Sequence, residues 1–157
     1  MSLKHWYNKR KIQKHLNFAK EDIINPRNSP NDIFVFGSNL AGLHAGGAAD
    51  CAANHYGAQW GVGHGFTGRA YAIPTLDFDR RKIPLDILRE YVLVFIHTAL
   101  HYPQMTFHLT PIGCGIAGYS VKEIAPLFEQ AVLYDVQNII YPKQFLDYFA
   151  THYGRLF

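Results

Sequence analysis

The chain has little of what marks secreted scaffolds and membrane proteins. Its 157 residues contain two cysteines, Cys51 and Cys114, which are too few for a disulfide scaffold and fit a reduced cytoplasmic location. The longest apolar run, Tyr91 to Ile96, has six residues, whereas a membrane-spanning helix needs about 20. No secretory signal is expected, because no apolar stretch with a small-residue cleavage site follows Met1. We therefore expect a cytoplasmic protein with no membrane partner.

Charged residues are also scarce, at 17%, whereas apolar residues reach 48% and aromatic residues 15%. This composition excludes a chain that is disordered throughout, and the length fits one hydrophobic core. The charge is uneven: residues 1–27 carry a net charge of +5 and the remainder carries −2. We therefore predict a basic N-terminal arm over residues 1–27 and a single domain over residues 28–157.

Two interpretations of the basic arm remain open. The lysines and arginine of residues 9–14 have the composition of a segment that contacts nucleic-acid phosphates. Alternatively, the arm is a solvated helix face that packs Trp6, Ile12 and Leu16 inward.

Short apolar runs alternate with helical patterns along the rest of the chain. Strands are predicted at 33–36, 70–73, 105–112 and 136–141. Helices are predicted at 48–56, 85–100 and 120–134, the last opening on a capping box and interrupted at Pro126. Strands that alternate with helices indicate parallel pairing through right-handed crossovers, and hence an α/β layered fold. An aromatic tail follows the last strand and is expected to pack on the core.

Glycine is concentrated in two stretches that follow predicted strands. Nine of the 13 glycines lie between positions 37 and 68, and three lie between 113 and 118. The first loop, residues 37–47, enters a predicted helix, whose first amides favour an anion. Asn39 offers a donor and an acceptor to a sugar hydroxyl; alternatively, it bonds its own backbone in a tight connection. Ligands of parallel sheets bind beyond the carboxyl ends of the strands, where both loops are expected.

The second loop, residues 113–119, matches G-x-G-x-x-G between a strand and a helix. A dinucleotide-binding Rossmann unit is not expected, because fewer than 40 residues follow and the next strand lacks a terminal acid. A second match to G-x-G-x-x-G, at residues 63–68, precedes a predicted strand rather than a helix and is taken as accidental. No P-loop motif is present. Cys114 is either a nucleophile activated near a helix start or a buried thiol, and the second is favoured.

The nine histidines do not form a metal motif. His97 and His101 are four residues apart on a predicted helix, but neither an adjacent glutamate nor a third ligand accompanies them. No metal and no cofactor are predicted. His44, His55 and His64 surround the first glycine stretch, where each is either solvated or close to a ligand.

The two loops together resemble the macrodomain family, which binds ADP-ribose and related nucleotides. The segment 34–39 leading to 46–48 is similar to the family's strand, N-A-A-N-type loop and G-G helix start. Residues 113–120 are similar to its S-T-G-[IV]-[YF]-G-Y-P loop, and residues 21–23 to its G-D-I segment. The similarity covers about residues 20–142, and the pattern is similar to macro-like proteins of bacteria and phages. The resemblance implies a three-layer α/β/α fold with a central mixed sheet.

The resemblance also implies a set of site residues. In the family, loop amides hold the diphosphate, the second Asn meets the distal ribose and the Asp reads the adenine amine. The ligand-binding residues implied here are Asp22, Gly37, Ser38, Asn39, Gly46, Gly47, Ala48, Gly113, Cys114, Gly115, Ile116, Ala117, Gly118 and Tyr119.

Several positions depart from the family pattern. Phe36 replaces the first Asn, and Ala117 replaces the aromatic that covers the distal ribose, for which Phe66 or Tyr71 are candidate substitutes. No acidic residue stands in the first loop, so only Asn39 and His44 are candidates to place a water for hydrolysis. Binding of an ADP-ribose-like nucleotide is therefore the favoured function, and hydrolysis of ADP-ribose conjugates is an extension of it. The alternative is nucleic-acid or protein binding through the arm, with a vestigial pocket.

Overall fold

A five-stranded mixed sheet lies at the centre of the protein in the computed structural model, which describes residues 30–153. The strands are β1 (Asp32–Asn39), β2 (Gly65–Thr67), β3 (Ala70–Leu76), β4 (Thr106–Leu109) and β5 (Ile139–Ile140). Their spatial order is β2-β3-β1-β4-β5. All neighbours pair in parallel except β2 and β3, which pair antiparallel. The prediction of an α/β fold with a central mixed sheet is confirmed.

Helices lie on both faces of this sheet. They are α1 (Gly47–His55), α2 (Leu85–His101), α3 (Val121–Ile124), a 3-10 helix (Ala125–Phe128), α4 (Glu129–Leu133) and α5 (Lys143–Tyr153). Alternate residues of β1 point to opposite faces, as strand geometry requires. Phe36 packs in the cluster of α1, whereas Ile33 and Val35 belong to the larger cluster of α2 and the later helices. The sheet and the helices on its two faces therefore form three layers.

The larger core confirms two predictions from the sequence. Helix α2 buries five residues at the predicted spacing, Leu88, Val92, Phe95, Ile96 and Ala99. The aromatic tail forms α5 and buries Phe145, Leu146 and Phe149 against the same core. None of the helices that the structure describes is long and apolar enough to cross a membrane.

Strand β1 is longer than predicted, because it continues through Asn39. Gly37, Ser38 and Asn39 pair with β3 opposite Ile73, Pro74 and Leu76, with an irregularity between Ser38 and Asn39. These three residues were predicted to lie in the first loop, so the loop begins later than predicted. The pairing with β3 is non-local, and the apolar run alone did not reveal it.

Prolines explain two other differences from the predicted boundaries. Pro74 lies within β3, which is possible because β2 pairs only with residues 70–72 and leaves that side of β3 open at Pro74. Strand β4 ends at Leu109, before Pro111, which has no N–H for the β5 side, and Ile112 N donates to Thr110 O instead of extending the pairing with β1. Strand β5 has two residues rather than the predicted six, and Asp135 before it adopts a φ of 52°.

The segment after the second loop begins as predicted. Ser120 Oγ accepts from Glu123 N, and Glu123 Oε1 accepts from Ser120 N, which is a reciprocal capping box. The helix is then interrupted by the 3-10 turn that contains Pro126, and α4 continues the path of the chain. The predicted arm over residues 1–27 lies outside the described residues.

Gly57 and Gly68 give a test of the local packing after α1. Both adopt positive φ, 73° and 59°. A Cβ atom on Gly68 would lie 2.4 Å from Gly57 O, whereas one on Gly57 would come no closer than 3.7 Å to Gly68 Cα. We expect Gly57→Ala to lower the free energy of unfolding by about 1 kcal/mol through backbone strain. Gly68→Ala should lower it by at least about 2 kcal/mol, because steric overlap adds to the same strain. Urea denaturation measures both values, and equal losses would contradict the overlap.

Candidate functional site: a cleft between two glycine loops

A cleft of about 470 Å³ opens at the carboxyl ends of the central strands. Asn39, Leu76 and Thr110 line it from the ends of β1, β3 and β4. Eleven of the residues predicted to bind ligand line this cleft: Gly37, Ser38, Asn39, Gly46, Gly47, Ala48, Gly113, Cys114, Gly115, Ile116 and Ala117. The structure therefore brings the two glycine loops to one place.

Main-chain contacts show how closely the loops approach each other. A Cβ atom on Gly37 would lie 3.3 Å from Gly113 N, and one on Gly46 would lie 3.3 Å from Ile116 Cδ1. The approach follows from the sheet order, because β1 and β4 are hydrogen-bonded neighbours and their loops leave the sheet side by side. A larger residue at Gly37 would press on the main chain of the second loop, whereas one at Gly46 would displace the end of the Ile116 side chain.

The start of α1 presents main-chain donors at the cleft. Gly46 is the N-cap and provides no side-chain cap, and the first helical bond runs from Asp50 N to Gly46 O at 3.3 Å. Within residues 30–153, the amides of Gly47, Ala48 and Ala49 have no hydrogen-bond acceptor. All three residues line the cleft. Unpaired amides at the positive end of a helix dipole favour an anion there.

The second loop presents a further set of amides. Its flanking amides are used internally, since Cys114 N donates to Pro111 O, Gly118 N to Gly115 O and Tyr119 N to Gly113 O. The amides of Gly115, Ile116 and Ala117 have no acceptor in the described part of the chain. Two groups of unpaired donors therefore line one cleft.

The start of α3 does not add to these donors. The capping box engages Glu123 N with the Ser120 hydroxyl and Ser120 N with the Glu123 carboxylate. Ser120 N and the Ser120 hydroxyl both donate to Glu123 Oε1, and these two hydrogen bonds are the main reason why the pKa of Glu123 is lowered. A carboxylate already occupies the helix start that a Rossmann unit would offer to a pyrophosphate.

Asn39 lines the cleft, but its carboxamide is used by its own loop. Its Nδ2 donates to Leu43 O and its Oδ1 accepts from Leu43 N, both at 2.9 Å. The structure thus shows the local alternative considered from the sequence. Each of the two atoms keeps one further hydrogen-bonding position, so a contact with a ligand hydroxyl stays a prediction.

Three other predicted residues lie outside the cleft lining. His44 is fully buried, its Nε2 donates to Gln59 O at 2.9 Å, and its ring meets Phe36 edge-on at 5.4 Å. Its ring does not line the cleft, and the catalytic role stays a prediction. Tyr119 donates its hydroxyl to Ile83 O, and Gly118 O accepts from the Lys82 ammonium. Tyr119 and Gly118 thus hold the second loop in place. Asp22 lies outside the described residues.

Tyr71 and Phe66, the candidate substitutes for the family aromatic that Ala117 replaces, do not reach the cleft. Tyr71 is buried between Phe95 and Phe107, with ring centres 5.1 and 6.4 Å away. Phe66 packs on Tyr71, on the same side of the sheet. Neither ring lines the cleft.

Sequence reasoning missed several polar residues of the lining. Thr75 lies in β3 and Thr110 directly follows β4, Gln144 lies in the first turn of α5, and Arg80 lies in a hairpin after β3. Thr75 lies beyond the predicted strand 70–73, and the positions of Arg80 and Gln144 depend on non-local packing. Arg80 is the one charged side chain among the described lining residues, which include no carboxylate.

The surroundings of Cys114 do not activate its thiol. It is half-buried in the cleft wall, and burial, with a smaller contribution from the charge of Glu123, raises the pKa of its thiol. The favoured prediction of an unreactive thiol is consistent with this direction.

No metal centre is formed by the part of the chain that the structure describes, since it contains no cluster of three or more His, Cys, Asp or Glu residues. His101 Nδ1 instead donates to His97 O at 2.8 Å along α2.

Comparison of the chain with family models, with curated proteins and with solved structures gave no match. The resemblance to macrodomains stays a prediction from the two loops.

The raised pKa of Cys114 predicts slow alkylation. In a Cys51→Ser background, the rate of reaction with iodoacetamide should rise with pH through a midpoint above that of free cysteine, because only the thiolate reacts. Glu123→Gln keeps the capping geometry and removes the carboxylate charge, so it should move the midpoint down. Mass spectrometry of quenched samples measures the rate. A midpoint below that of free cysteine would contradict the account.

Proposed function

We propose that the cleft binds ADP-ribose or a related nucleotide, with the diphosphate between the first amides of α1 and the amides of residues 115–117. The observation that carries the proposal is that the residues of both groups of unpaired amides line one cleft. A diphosphate has oxygens on two adjacent phosphorus atoms and suits donors that converge from two sides.

The size and lining of the cleft support the same ligand class. A volume of about 470 Å³ falls within the roughly 300–1,000 Å³ typical of small-molecule sites. Leu43, Ile112 and Val121 give the cleft an apolar wall suited to the face of a base or a sugar, and Asn39 and Gln144 supply carboxamides. The absence of any carboxylate from the described lining removes repulsion of an anion.

We propose recognition rather than hydrolysis as the primary function. General-base activation of water needs a suitably placed carboxylate or imidazole. His44 is buried behind the loop, and Asp50 lies outside the lining and accepts from Asn54 Nδ2 at 3.1 Å. Hydrolysis of ADP-ribose conjugates would have to rely on Asn39 and on the phosphates of the substrate itself.

The alternative function depends on the basic arm. The arm lies outside residues 30–153, so binding of nucleic acid or of a protein through it stays a prediction from composition.

Gly115 offers the sharpest test of the proposed cleft. Its φ is not positive, and a Cβ atom there would meet nothing within 4 Å. We expect Gly115→Leu to keep the melting temperature of the wild type and to lower affinity for ADP-ribose at least about 10-fold, because the side chain takes up cleft volume and displaces a phosphate from the amides. Gly115→Ala is the matched control and should bind with a smaller loss. Calorimetric titration measures the affinities.

Deletion of residues 1–20 separates the two functions. The truncated protein should keep its affinity for ADP-ribose if the cleft is the site. The proposal fails if truncation removes binding while Gly115→Leu leaves it unchanged.

A further inference from the structure

The segment between β3 and α2 forms a tight hairpin beside the cleft. Asp77 Oδ1 accepts from Asp79 N at 2.8 Å and from Arg81 N at 2.9 Å, and Asp77 N donates to Arg81 O at 2.8 Å. Leu76 forms an antiparallel bridge with Lys82, which closes the hairpin. The carboxylate of Asp77 is therefore committed to the turn.

Arg80 occupies the position of this turn that ordinarily takes glycine or asparagine. Its N donates to Asp77 O at 3.1 Å and its φ is +62°. A type I turn followed by a left-handed residue is a common hairpin geometry, but a side chain such as arginine is strained there. Glycine at this position would relieve the backbone strain. A strained residue at a cleft is a reason to look for a role in binding.

The hairpin is fastened to the second glycine loop. Lys82 Nζ donates to Gly118 O at 3.0 Å and lies 4.6 Å from the centre of the Tyr119 ring. Tyr119 in turn donates its hydroxyl to Ile83 O. These contacts fix the wall that carries Arg80 relative to the amides of residues 115–117.

Arg80 forms no ion pair within the described residues, although Asp77 and Asp79 belong to the same turn. Arg80 is exposed and lines the cleft, and the two ion pairs among the described residues join other groups, His108 with Asp32 and Lys143 with Asp147. A guanidinium has five donors in a planar fork that matches oxygens on adjacent phosphates.

We infer that Arg80 is a specificity-determining residue that contacts both phosphates of the bound nucleotide and selects diphosphates over monophosphates. This inference rests on the proposed function of the cleft. A monophosphate held by the loop amides offers the guanidinium fewer oxygens, so the contribution of Arg80 to its binding is smaller.

Calorimetric titration of ADP-ribose and of AMP, at two salt concentrations, tests the inference. Arg80→Gln should lower affinity for ADP-ribose about 10-fold and affinity for AMP by less, and it should weaken the salt dependence. Arg80→Lys should recover part of the loss, since it keeps the charge without the fork. Arg81→Gln is the matched control, because Arg81 is an exposed arginine of the same hairpin that does not line the cleft. It should bind both nucleotides as the wild type does.

Arg80→Gly provides a second readout that a purely structural residue would not give. Removing the strained side chain should raise the melting temperature by roughly 2–4 °C while affinity for ADP-ribose falls as in Arg80→Gln. If the wild type binds ADP-ribose and the Arg80 variants bind it equally well, this inference is overturned and the proposed function stands. If the wild type binds neither nucleotide, the proposed function is overturned and the inference with it.

Discussion

At the carboxyl ends of β1 and β4 the two main chains approach so closely that a side chain at Gly37 would make a tight contact with Gly113. A Cβ atom on Gly37 would lie 3.3 Å from Gly113 N, and one on Gly113 would lie 3.0 Å from the Tyr119 ring. Gly113 also adopts a φ of +74°, which favours glycine. The parallel pairing of β1 with β4 fixes this approach, and the cleft exists because both loops leave the sheet at the same edge.

The polar groups around the cleft divide into those that hold the loops and those that remain for a ligand. Ser38 donates to Gly63 O, Asn39 exchanges two hydrogen bonds with Leu43, and His44 donates to Gln59 O. The second loop is held at its far end by the Ser120 capping box and by Lys82. The groups left over are mainly backbone amides. Main-chain donors that need no rearrangement on binding give a rigid, electropositive site.

Part of this arrangement could be predicted from the sequence because it depends on local rules. The 3–4 spacing of apolar residues predicted α2, and Ser120 with Glu123 predicted the start of α3. The position of both glycine loops at one edge followed from alternating strands and helices. These features depend only on interactions between residues a few positions apart in the sequence and on the handedness of crossovers.

The remaining features depend on contacts between distant parts of the chain. Asn39 belongs to β1 because it pairs opposite Leu76, and the buried ring of His44 donates a hydrogen bond to a carbonyl 15 residues away. The hairpin that carries Arg80 lacks the glycine by which such turns are usually recognised, and Asp77 alone did not reveal it. No periodicity or spacing in the sequence reports such contacts.

The central claim is that two groups of backbone amides bind one pyrophosphate together. The most direct measurement is a nitrogen–proton correlation spectrum of the full chain titrated with inorganic pyrophosphate. The account predicts that the amide signals of residues 47–49 and of residues 115–117 move together, along one binding curve, while those of β2 stay in place. Movement of only one group, or movement confined to the basic arm, would contradict it.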